Sequence, residues 1–106
     1  MENNIKNLIS LAEEHGNLIL LGESKKANKI HKELSISLEA FKNDFKELRP
    51  LLSQKNESVK LWISSFLLKN GDLKGKKALE ELSNSNSIFS TSANILLDLY
   101  KKGMLK

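Results

Sequence analysis

The residues best equipped for chemistry share one short stretch, EEHGNLILLGESKK, from Glu13 to Lys26. A histidine follows two carboxylates there, the raw material for a general base with an orienting acid. Two glycines bracket an apolar run and a Gly-x-x-Lys-Lys ending follows, which raises a phosphate-binding loop. Spacing argues against both. Residues one and two apart on a helix do not face each other, so Glu13 and Glu14 point away from His15. No serine or cysteine nucleophile is placed beside His15 by local spacing, and His31 sits among Ile30 and Leu34. A P-loop needs four residues between its glycines, a lysine directly after the second, and a preceding strand. Here five residues separate Gly16 from Gly22, Glu23 follows, and the preceding segment has helical periodicity. What remains is weak anion binding at the helix start near Ser24, beside Lys25 and Lys26.

Metal chemistry finds no better footing. His15 and His31 fall on separate expected helices, and neither a His-x-x-x-His nor a Glu-x-x-His pattern occurs. No catalytic residue, metal or cofactor is therefore expected. Trp62, the single tryptophan, lies with Val59 and Phe66 along one helix edge. That assigns it to the core with an exposed indole edge, the alternative being an interface hot spot.

Helices are expected nearly throughout, because Leu, Lys, Glu and Ser dominate and Pro50 is the only proline. The first spans about Glu2 to Leu21, with Ile5, Leu8, Ala12, His15 and Ile19 on one stripe. Gly22 is placed to end it, and Ser24 to cap the next. The second runs from about Lys25 to Leu48, where Ala27, Ile30, Leu34, Leu38, Phe41, Phe45 and Leu48 recur every three or four residues. Pro50 stops or kinks it. Leu51-Leu52 reads as a short helical turn and SQKNES as a loop. SVKLWISSFLLKN, DLKGKKALEEL and SIFSTSANILLDLYKK then follow as helices, with Gly71 and Gly103 after the first and last.

The second half carries an internal offset of thirty residues: Val59, Ile63 and Leu67 match Phe89, Ala93 and Leu97, and Asn56 matches Asn86. Units of this kind must stack to bury their faces. The fold class expected is all-α: a short α-solenoid of about six helices. It forms one domain over 1–106, with a long αα-hairpin at 1–49 and repeats at 50–71 and 72–106. Leu18, Ile19, Leu20 and Leu21 point all round the first helix end, and Leu61 and Leu68 add further apolar surface. Such clusters predict contact with another protein or self-association into a homo-oligomer.

Composition narrows the function classes. With no cysteine, disulfides and thiolate metal sites are excluded. The N-terminus lacks a basic segment followed by a continuous apolar run, and no stretch nears the ~20 residues of a membrane span. A cytoplasmic protein without a membrane partner is expected. Seventeen basic against thirteen acidic residues give a net charge of +4. The clusters Lys25/Lys26, Lys74/Lys76/Lys77 and Lys101/Lys102 are interleaved with acids, which favours a solvated surface over a nucleic-acid footprint.

LAEEHGNLILLGESKKANKIHKEL (11–34), LLSQKNESVKLWISSFLLKNGDLKGKKALEEL (51–82) and the ending LLDLYKKG resemble a bacterial domain-of-unknown-function family of small HEAT/armadillo-like proteins. His15-Gly16, Gly22 to Lys29 with its Ala27-Asn28-Lys29 end, and Val59-Lys60-Leu61-Trp62 carry the resemblance. It departs at Gly22-Glu23, where Gly-Asp is usual, and at Ile63, where a small residue is common. The resemblance implies a compact right-handed α-solenoid with no known enzymatic activity. Relatives of this kind occur beside polymorphic toxins, including as immunity proteins of contact-dependent growth inhibition. The expected function is accordingly a non-enzymatic immunity protein that occludes the active site of a cognate toxin, a nuclease by expectation. A nucleic-acid-binding module with a lysine-lined face is the alternative. Solenoids present a surface built from successive second helices, and the thirty-residue offset places Lys60, Ser64, Asn94, Asp98 and Lys101 on it as the expected partner contacts.

Overall fold

Where the apolar spacing is uninterrupted and capped, a helix forms. The computed structural model describes residues 2–105. Among them are α1 (Glu2–Leu20), α2 (Ser24–Glu39), α3 (Phe45–Leu48), a 3-10 turn (Arg49–Ser53), α4 (Glu57–Lys69), α5 (Leu73–Ser83) and α6 (Ile88–Lys101), with no strand. The radius of gyration is 12.8 Å, close to the ~13 Å of a 100-residue globule. The all-α class expected from composition is what the chain adopts.

Helix ends follow local chemistry. Gly22 takes φ +73°, and the Glu23 amide reaches back to Leu18 O at 2.9 Å. This six-to-one bond closes the open carbonyls of α1. Gly71, at φ +89°, ends α4 in the same way, with the Asp72 amide on Leu67 O at 2.8 Å. Ser24 is not the cap of α2 but its first residue; Glu23 holds the cap position and makes no side-chain capping bond. At α4 the Asn56 carboxamide accepts from the Val59 amide at 3.1 Å. Its expected counterpart Asn86 is exposed, and Ser87 caps α6 instead, accepting from the Phe89 amide at 3.2 Å.

The long second helix expected to reach Leu48 stops at Glu39. Three i→i+3 bonds follow, from Phe41 to Leu38, Lys42 to Glu39 and Asp44 to Phe41, at 2.9, 3.1 and 2.9 Å. Asp44, at φ −141° and ψ 48°, leaves the helical conformation before α3 begins. Lys42-Asn43-Asp44 supplies two residues whose short polar side chains compete for the backbone and disfavour helix interiors. The break thus precedes Pro50, which sits within the first two positions of the 3-10 turn, where its missing N–H costs nothing. Phe41 is buried beyond the break, and Phe45 meets Phe66 edge-on with ring centroids 6.1 Å apart.

Helix α4 is the shared element of two apolar clusters. One joins Leu8 and Ala12 of α1, Leu34 and Leu38 of α2, and Val59, Ile63 and Leu67 of α4. The other joins Leu68 of α4 to Leu79, Leu82, Ala93 and Leu97 of α5 and α6. Leu68 is buried there and Leu61 packs against the same cluster, so neither supplies the free apolar surface expected of it. The end of α1 does: Ile19, Leu20 and Leu21 are 40, 60 and 74 % exposed.

Two glycines set how closely helices approach α4. A Cβ on Gly16 would come within 2.5 Å of Ser58 Cβ and 2.8 Å of its Oγ. That hydroxyl donates to Ala12 O at 2.6 Å, so α1 and α4 touch through a glycine and a backbone-bonded serine. A Cβ on Gly75 would overlap Ser64 O and lie 2.8 Å from Leu68 N, both backbone atoms of α4. Helix α5 therefore lies directly on the main chain of α4.

Candidate protein-binding groove

Away from α5, α4 presents Trp62, Ser65, Phe66 and Lys69 at helical spacing. Helix α2 presents His31, Ser35, Leu38 and Glu39 opposite them. Between these stripes lies a cleft of about 300 Å³, lined also by Leu96 of α6 and by Leu105. Its centre is apolar, through Leu38, Trp62 and Phe66. Glu39 and Lys69 supply one charge of each sign, and the serines add hydroxyls.

Trp62 is positioned by two histidines. The Trp62 Nε1–H donates to His15 Nδ1 at 3.3 Å. The His15 and Trp62 rings meet edge-on, 5.1 Å apart with an interplanar angle of 88°. His31 stands 5.0 Å from Trp62 at 61° and 6.1 Å from His15. Three helices thus meet through three rings. The bond requires an unprotonated Nδ1 on His15. Burial, and then the neighbouring His31, lower the His15 pKa from its ordinary 6.5, favouring that neutral ring. His15 is half-buried and accepts from Trp62, while Glu13 and Glu14 are exposed. The histidine is a packing and orienting group.

The expected contact residues separate in the structure. Asn94, Asp98 and Lys101 are exposed on α6, with Asp98 paired to Lys102 at 2.9 Å. Lys60 is half-buried and pairs with Glu81 of α5 at 3.2 Å. Ser64 is fully buried and donates to Leu61 O at 3.1 Å, so it cannot touch a partner while α5 is in place. The reason is Gly75, which brings α5 onto that flank of α4. On α6 the matching residue Asn94 is exposed, so the thirty-residue offset relates a covered position to an open one. The α2 side of the groove is not evident from the sequence, although His31, Ser35 and Leu38 recur at helical spacing and Trp62 and Phe66 share one face of α4.

Among the described residues no group of three His, Cys, Asp or Glu side chains could hold a metal ion. No described helix is long and apolar enough to cross a membrane. Fold and site together define an all-helical protein with an aromatic-centred cleft between helices. No family model, curated protein or solved structure matches the chain.

Proposed function

We propose that this chain is a non-enzymatic, HEAT/armadillo-like protein-binding module. More specifically, it is an immunity protein that neutralises a cognate bacterial toxin by covering the toxin's active site. The observation that carries the binding reading is the groove. Preformed helices α2 and α4 flank an apolar centre in which a tryptophan, the residue most enriched at binding hot spots, keeps a partly open face and is held by a hydrogen bond from behind. Rigid walls lower the ordering cost of association. The toxin assignment adds the sequence resemblance of the His15-Gly16, Gly22–Lys29 and Val59–Trp62 segments to that binding surface. The contact set moves from the Lys60–Ser64 flank to Trp62, Lys69, His31 and Ser35, with Asn94, Asp98 and Lys101 retained on α6.

The test is co-expression with a toxin encoded immediately upstream. Protection of the host and a co-purifying complex are expected. Trp62→Ala, with helicity verified by circular dichroism, should weaken the complex by at least about thirtyfold, as hot-spot truncations do. Failure to protect together with absence of any complex would overturn the toxin assignment. An undiminished complex with folded Trp62→Ala would remove the groove from the interface.

A further inference from the structure

A second cleft, of about 370 Å³, lies between the 3-10 turn and α5. Three of its four charged lining residues are basic. Arg49 comes from the turn, and Lys74 and Lys77 from one face of α5, with Leu52 and Ala78 as apolar lining. Like charges three residues apart on a helix repel, and neither lysine has an ion-pair partner among the described residues. Glu81, the one acid lining the cleft, is already engaged by Lys60 at 3.2 Å.

The arginine is held in a fixed pose. Its Nε donates to Asp72 Oδ2 at 2.8 Å, while Asp72 Oδ1 accepts from the Lys74 amide at 3.0 Å. The Asp72 side chain is only 7 % exposed, against 42 % for Arg49. Burial pushes the Asp72 carboxyl up, but bonds from Arg49 and the Lys74 amide, with the charges of Arg49 and Lys74, outweigh it and hold it below its ordinary value. The carboxylate thus stays ionised and fixes the guanidinium through Nε. Both terminal nitrogens of Arg49 are left without a hydrogen bond among the described residues. A guanidinium so presented matches two oxygens of one anion.

The geometry points to a binding site for a phosphate dianion, free or carried on a small molecule, between the Arg49 terminal nitrogens and the ammonium groups of Lys74 and Lys77. Leu52 and Ala78 offer apolar surface to the carbon part of a monoester. A nucleic-acid strand would need cations spaced along its path, whereas these three line one cleft together with Glu81. The site is independent of the groove and of its proposed partner.

The test uses the full chain in low-salt buffer, with inorganic phosphate, adenosine 5′-monophosphate and adenosine as probes, followed by amide chemical shifts. Saturable shifts at residues 49–53 and 74–81 are expected with both anions and none with adenosine. Equal affinities identify free phosphate as the ligand, and tighter binding of the nucleotide identifies a monoester. The double variant K74Q/K77Q, at two exposed and unpaired lysines, should weaken binding by about tenfold or more. Arg49→Lys, which keeps the charge opposite Asp72 but loses the planar fork, should weaken it severalfold. Absence of saturable shifts with either anion, or unchanged affinity in the double variant, overturns the site. So does a short DNA duplex that binds more tightly than the nucleotide and loses its binding in K74Q/K77Q.

Discussion

The two flanks of α4 are built on opposite plans. On one, Gly75 lets α5 rest on the Ser64 and Leu68 backbone, sealing Ser64 inside. On the other, His31 of α2 and Trp62 of α4 meet edge-on, and a cleft of about 300 Å³ opens between these two helices. A glycine removes the side chain that would separate two helices; a tryptophan braced by histidines acts as a spacer. One helix therefore serves as the inner wall of a core and the outer wall of a binding surface, and the residue types beside it decide which.

The comparison breaks most readily on the closed flank. Gly75→Ala should destabilise by about 3 kcal/mol, because overpacking against backbone cannot be relieved by a rotamer change. That cost outweighs the ~1 kcal/mol alanine gains in helix propensity. Urea unfolding measures it, and a stability change under ~1 kcal/mol would mean that the helices can part at little cost and that the flanks do not differ as described. Gly16→Ala should cost less, about 2 kcal/mol, since the displaced atoms belong to the Ser58 side chain and its bond to Ala12.

On the open flank, Trp62→Phe keeps an aromatic spacer and removes the donor to His15. Its cost should be about 1 kcal/mol in the same assay; a loss as large as that of Gly75→Ala would make the groove a rigid core element. A pH series sharpens the same point. The folded-state pKa of His15 lies below its ordinary 6.5, so the unfolded chain takes up the proton first. The stability from the neutral ring is therefore complete above pH 6.5 and is lost as pH falls through that value and through the lower folded pKa. Trp62→Phe should flatten this dependence, and an identical acid slope in both proteins would sever Trp62 from the His15 titration. Smallest of all, Leu20→Ser and Leu21→Ser should leave stability within about 0.5 kcal/mol of the parent, since these side chains are 60 and 74 % exposed.

Much of the fold was legible because helix periodicity and punctuation agree. Gly22 and Gly71 mark the ends of α1 and α4, and the stripes of α4 and α6 bury Ile63, Leu67, Ala93 and Leu97 as their spacing predicts. The break after Glu39 was not. Phe41, Phe45 and Leu48 keep a three-to-four spacing through it, and that spacing serves consecutive tight turns as well as a continuous α-helix. The site was half legible. His15 reads as a packing residue from its stripe, but its bond to Trp62 spans 47 positions, and no local pattern encodes that pairing. Ser64 illustrates a different limit. A polar residue beside an apolar stripe looks exposed unless a neighbour covers it, and the clue was a glycine eleven positions away, inside a helix where glycine has no local advantage.

The ring cluster also equips the chain with a built-in optical reporter. The only indole lines the groove and shares its N–H with an imidazole. Its emission should respond both to a guest that dries the cleft and to a proton arriving on His15. Occupancy and protonation can therefore be followed on the unlabelled protein, and phosphate entering the second cleft should leave that signal unchanged.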